Sequence, residues 1–218
     1  MPRLLARPAA RALMRLSPHA GGTIAGAAAA LAVALPALAA IPSRAAPGSD
    51  VSALGFVNLF HDSCMVYLGQ DQALNATLER NGFKILPVDA STDYLQGSTG
   101  IAWAAPRSLG ELVVALRDDG TCAVFARRVH QAQVQSAFDG LARASASPVL
   151  PVIRQPDRVV DAPSGPANYR SYLQGKPSSG SAIQLTLSTT SSAAARYQAI
   201  ATLSLVERPA DSPSPAQP

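Results

Sequence analysis

The sequence predicts an α+β domain: a mostly antiparallel sheet of about five or six strands with about three helices packed mainly on one face. Three observations carry this. Glu111 to Arg128 reads as two apolar runs around Asp118-Asp119-Gly120, and a glycine there takes the positive φ that a tight hairpin needs. Ala53, Phe56, Val57, Phe60, Cys64, Tyr67 and Leu68 recur at helical spacing, as do Val134, Ala137, Phe138 and Leu141. Ile183, Leu185 and Leu187 alternate with polar residues, and so do Ala199, Ala201, Leu203 and Leu205, the pattern of half-buried strands. Short links make neighbouring strands antiparallel, and amphipathic helices need a sheet to cover.

Taken in order, Ser52 caps the first helix and Gly69 ends it. Asp71 opens a second, short helix through Leu74 and Leu78, stopped by Asn81-Gly82. Phe83 to Val88 contains Pro87 and is at most an edge strand. Ser91 to Gly100 reads as loop, and Ile101 to Ala105 as a short strand carrying Trp103. In the hairpin, Leu112, Val114 and Leu116 share one face and Val113 and Ala115 the other. Cys122, Val124 and Ala126 alternate with Ala123, Phe125 and Arg127. Apolar residues on both faces place these strands centrally. Gln131 to Arg143 is the third helix. Ala144 to Gly165, rich in Pro and Ser, reads as a long loop over 144–165 with one edge strand. Tyr169 to Leu173 is a further candidate strand. One domain is thus expected over 51–207, between a flexible segment at 40–50 and a disordered tail at 208–218.

The net charge of +4 belongs wholly to the N-terminus. Arg3, Arg7, Arg11 and Arg15 stand in the first forty residues without an acid, and removing them from the 18 basic residues leaves 14 against 14 acids. A formally neutral remainder offers no basic patch for nucleic acid, so no such partner is expected. The same leader has the order of a secretory signal peptide over 1–39. Its arginines precede an apolar run from Thr23 to Leu35, then Pro36 and the small residues Ala37-Leu38-Ala39. Cleavage after Ala39 or Ala40 would release a periplasmic or secreted protein with no membrane span. The alternative is an uncleaved anchor, for which the run is short and diluted by Gly and Ala.

Export decides how the cysteines are read. Cys64 and Cys122 are the only two, and neither CxxC nor a metal-type spacing is present. In an oxidising compartment such a pair is most simply a structural disulfide, against the alternative of two buried thiols.

No motif names an activity. His61-Asp62-Ser63-Cys64 resembles a catalytic box, but successive helical residues point about 100° apart and cannot converge on one substrate atom. Ser63 lacks a Gly-x-Ser-x-Gly context. His61, His130 and scattered acids have no metal-binding spacing, and neither a metal nor any other cofactor is expected. Asp118-Asp119-Gly120 is a solvated turn; Asp89, Asp93, Asp157 and Asp161 fall in loop-like segments as turn formers. Tyr67, Tyr94 and Trp103 are the candidate ligand-contacting aromatics, although an aromatic content of 5% argues against a groove lined with stacking rings.

Phe56 with Cys64, Gly100 with Trp103, and Asp119-Gly120 with Cys122, after an export signal, resemble a group of small exported proteobacterial proteins of no assigned activity, some of them lipoproteins. The resemblance covers about Leu54 to Arg143. It implies export and a disulfide scaffold, and no activity to carry over. This chain lacks the lipid-modifiable cysteine of the lipoprotein members.

The expectation for function is an exported, non-catalytic domain that binds a protein or small ligand in the cell envelope. Two alternatives stand beside it: a periplasmic hydrolase drawing on His61, His130 and loop carboxylates, and an envelope adaptor or immunity-type protein.

Overall fold

The computed structural model describes residues 51–176 and 179–207. The expected leader over 1–39, the segment 40–50 and the tail 208–218 lie outside the described residues.

The fold is α+β, as expected, with a larger sheet. Nine strands form one antiparallel sheet in the order β1-β2-β3-β4-β9-β8-β7-β5, with β6 also pairing β7. The strands are β1 (Lys84–Ile85), β2 (Gly100–Ala104), β3 (Leu112–Arg117), β4 (Cys122–Ala126), β5 (Val152–Arg154), β6 (Arg158–Ala162), β7 (Gly165–Gln174), β8 (Ser181–Thr189) and β9 (Ala199–Glu207). The helices are α1 (Ala53–Phe60), α2 (Asp71–Arg80), α3 (Val88–Leu95) and α4 (Gln131–Ala144).

Alternation in the strands sorts side chains onto two faces. Trp103, Val114, Cys122, Val124, Leu185, Leu187, Ala201 and Leu203 meet Phe56, Phe60, Leu74, Leu78, Val134 and Phe138 from α1, α2 and α4 in the main core. Phe60 and Phe138 tie α1 to α4, their ring centroids 5.7 Å apart. On the opposite face Ala102, Val113, Ala115, Ala123 and Phe125 form a smaller core closed by Leu95 of α3.

Local signals explain the ends of α1 and the hairpin. The Gly55 N–H donates to Ser52 Oγ at 2.9 Å, capping α1. Past Phe60 the helix widens into one π-helical turn, His61–Met65, where the Val66 N–H donates to His61 O at 3.0 Å. That turn buries Ser63 and Cys64 and leaves His61 and Asp62 outside. Between β3 and β4, Gly120 has φ 79° and the Thr121 N–H donates to Asp119 Oδ1 at 2.9 Å, so the Asp-Asp-Gly segment is a turn as read.

Two expectations need correction. The first half of the Ser91–Gly100 segment, read as loop, is helix: α3 runs Val88–Leu95, with Pro87 in the N-cap position. Its hydroxyls bond back to the helix, Ser91 Oγ and Thr92 Oγ1 both donating to Val88 O. The 144–165 loop holds two edge strands, β5 and β6, end to end along β7. They carry the sheet beyond the expected five or six strands. The three helices expected from sequence, α1, α2 and α4, share one face, and the additional α3 packs over β2 and β3 on the other.

Candidate functional site

The face that α3 covers only in part carries a cleft of about 380 Å³, within the range of small-molecule sites. Three rings from distant parts of the chain form its aromatic wall. Tyr94 comes from the last turn of α3, Phe125 from β4, and Tyr197 from the β8–β9 connection. Tyr94 and Phe125 meet edge to face at 5.2 Å, Phe125 and Tyr197 at 5.1 Å, and Tyr94 and Tyr197 at 5.2 Å in a tilted contact. Such arrangements suit the ring quadrupole. Ala104, Ala105 and Val113 continue the apolar lining.

Charge gathers at the rim of this cleft. Arg107 follows β2, Arg127 follows β4, and Arg196 precedes Tyr197; Glu111 is the one carboxylate among the lining residues. Arg196 pairs with Asp93 of α3 and lies 5.6 Å from the centroid of the Tyr197 ring. Glu111 Oε1 accepts from Arg128 Nη2 at 2.6 Å, and Glu111 Oε2 lies 3.6 Å from Arg127 Nη1. Arg107 has no ion-pair partner among the described residues. Burial, with Tyr94 alongside, pushes the Tyr197 phenol well above its ordinary range, so it remains protonated.

A second depression, of about 470 Å³, adjoins the first through Arg127 and is lined by Val129, His130, Ser191 and Gln198. Gln198 organises it. Its Oε1 accepts the Arg128 N–H at 2.7 Å, and its Nε2 donates to Ser192 O and Ala195 O. These bonds hold the β8–β9 connection against the end of β4. Arg128 itself takes φ 55°, a left-handed conformation uncommon for a non-glycine residue.

The residues singled out from sequence fall in different places. Cys64 and Cys122 are bonded, with Cα atoms 5.4 Å apart across a separation of 58 residues. Trp103 is fully buried in the main core, so it is not open to a surface ligand. Tyr67 is half-buried and shares a 3.1 Å hydrogen bond with Thr77 Oγ1, far in sequence from the cleft residues. Only Tyr94 lies in the cleft. His61 Nδ1 sits 2.7 Å from Asp62 Oδ1 on the exposed side of the π turn, and His130 lines the second depression without His61. Asp89 and Asp93 lie on α3 and Asp161 on β6 rather than in loops; Asp157 does lie in the β5–β6 link. Among the described residues no three His, Cys, Asp or Glu side chains gather as a metal site, and no helix is long and apolar enough to cross a membrane.

One further polar cluster ties α4 to the sheet. Arg170 Nη1 donates to Asp139 Oδ2 at 2.7 Å, and the Tyr172 hydroxyl donates to Asp139 Oδ1 at 2.6 Å. Asp157 receives Arg154 at 2.8 Å and Arg170 at 3.2 Å. Desolvation pushes the Asp157 carboxyl up, but these two guanidinium groups prevail and hold it below its usual value. Each of these groups is matched by a partner within the cluster, which anchors the β5–β6 edge.

Phe125, Tyr197 and the three rim arginines were not singled out from sequence. They lie on separate elements, and nothing local marks them. The nearest signal is the alternation that puts Phe125 and Arg127 together on one face, opposite Cys122, Val124 and Ala126.

No protein-family model, no curated protein and no solved structure matches the chain.

Proposed function

We propose that the chain is an exported, non-catalytic binding domain of the cell envelope whose small ligand occupies the Tyr94–Phe125–Tyr197 cleft. The cleft carries the reading: an apolar aromatic wall opens beneath polar rim groups, the composition typical of ligand sites. Export rests on the arginine-studded leader and its small-residue cleavage motif. The Cys64–Cys122 disulfide fits an oxidising compartment, and the resemblance to small exported proteobacterial proteins belongs to the same reading.

Two measurements test it. Fractionation of cells producing the full chain should yield a processed form outside the cytoplasm, with its N-terminus at Ala40 or Ile41. Thermal-shift screening of that form against small organic compounds should find ligands that raise Tm in the native protein and much less in Tyr197→Ala. A cytoplasmic, unprocessed chain would refute export; hits indifferent to Tyr197 would refute the cleft.

A second reading, an envelope adaptor or immunity-type protein, draws on the β6 edge. Val159 and Val160 are 65% and 47% exposed there, on a strand paired with β7 on one side, where another chain can add a strand. Crosslinking from position 159 to a single envelope protein would favour it.

A further inference from the structure

Resting on the cleft as the binding site, we infer that its ligand is a small planar organic acid, with a flat apolar ring against Tyr94 and Tyr197, which the buried Phe125 backs, and a carboxylate held by the rim arginines. The volume, about 380 Å³, suits one or two fused rings rather than a peptide or a sugar chain.

The wall selects for a ring. Tyr94 and Tyr197 each meet Phe125 edge to face, and meet each other in a tilted contact. A fourth ring entering the cleft completes the same edge-to-face pattern, which adds to the apolar area that it buries.

The rim selects for an anion. Arg107, Arg127 and Arg196 come from three different connections yet line one cleft, against Glu111 alone. Glu111 is already committed to Arg128 at 2.6 Å, and its 3.6 Å approach to Arg127 leaves most donors of that guanidinium available. Asp93 engages Arg196 from one side. Arg107 has no ion-pair partner among the described residues. Gathering like charges costs free energy unless a counter-charge arrives, and a guanidinium fork meets a carboxylate through two parallel hydrogen bonds. The Tyr197 phenol, kept protonated by burial, adds no negative charge to oppose the acid.

Isothermal titration of the processed protein with 2-naphthoate, the neutral 2-naphthamide and inorganic phosphate tests both halves of the inference. The naphthoate should bind at least about tenfold tighter than either comparison compound, and its affinity should fall as salt rises. Arg107→Gln, at an exposed position, should weaken naphthoate about fivefold with Tm unchanged, and Tyr94→Ala should weaken it as well. Equal binding of amide and acid would overturn the anion and leave the cleft reading standing. Equal binding of phosphate would overturn the ring. If the naphthoate does not bind while a different compound binds dependent on Tyr197, the ligand class is overturned alone; if no compound does, both readings fall.

Discussion

The Tyr94 and Tyr197 rings lie 5.2 Å apart although one belongs to α3 and the other to the β8–β9 connection. Both pack on Phe125 from the central strand β4. Phe125 is therefore the keystone of the second core and also the inner wall of the cleft. Phe125→Ala should cost about 3–4 kcal/mol of stability and abolish ligand binding, whereas Phe125→Leu should restore most of the stability and little of the binding. Urea unfolding beside titration separates the two effects.

The disulfide ties the π turn after α1 to the first residue of β4 across a separation of 58 residues. Closing a loop of that size restricts the unfolded chain by about 4 kcal/mol in the chain-entropy treatment. Both cysteines are buried, so the double replacement Cys64→Ala/Cys122→Ala should lower stability by about that amount, measured by chemical denaturation. The native protein should resist mild reductant while folded.

Gly100 opens β2 with φ 150°, and a Cβ there would stand 2.2 Å from Leu116 O and 2.8 Å from the Arg117 Cα. Both are backbone atoms of the paired strand β3, so no side chain can move aside. Gly100→Ala should cost about 3 kcal/mol or more. Gly97→Ala has open space around it, so only its left-handed φ is strained, and it should cost about 1 kcal/mol. Comparing the Tm of the two variants checks the assignment.

Burial, reinforced by the hydrogen bond to Asp139, pushes the Tyr172 phenol up to about 12. In the unfolded chain a tyrosine ionises near about 10. A folded value above the unfolded one means stability fully present below about pH 10 and lost as pH rises through about 12. Tyr172→Phe should flatten that alkaline loss, and Tyr172→Phe/Tyr197→Phe should flatten it further, because burial raises Tyr197 as well. Denaturation midpoints between pH 9 and 12 read the difference. Asp139→Asn should instead lower stability at neutral pH by about 2 kcal/mol, since it removes the charge facing a largely buried Arg170.

What the sequence made legible follows from how local each signal is. The Asp118-Asp119-Gly120 turn, the stripes of α1 and α4, and the alternation in β8 and β9 are written within short windows. The Cys64–Cys122 bond was legible because only two cysteines were available to pair. In α3 the run Ser91, Thr92 and Asp93 reads as loop by its polarity, yet the Ser91 and Thr92 hydroxyls bond to Val88 O within the helix and Ser91 is buried. The edge strands β5 and β6 are short, and Pro151, Pro156 and Pro163 flank them, so neither carries a strand-length pattern. Trp103 drew attention as the sole tryptophan, yet alternation within β2 turns it into the main core. The cleft was illegible for a different reason: Arg107, Phe125 and Tyr197 meet only through tertiary packing, and each alone has an ordinary composition around it.

The most direct test of the central claim is an isotope-filtered NOE measurement on the protein with bound 2-naphthoate. Contacts from the naphthyl protons to the rings of Tyr94 and Tyr197, with Phe125 buried behind them, are the predicted result. Contacts confined to Val159 and Val160, or to any surface away from those rings, would contradict it.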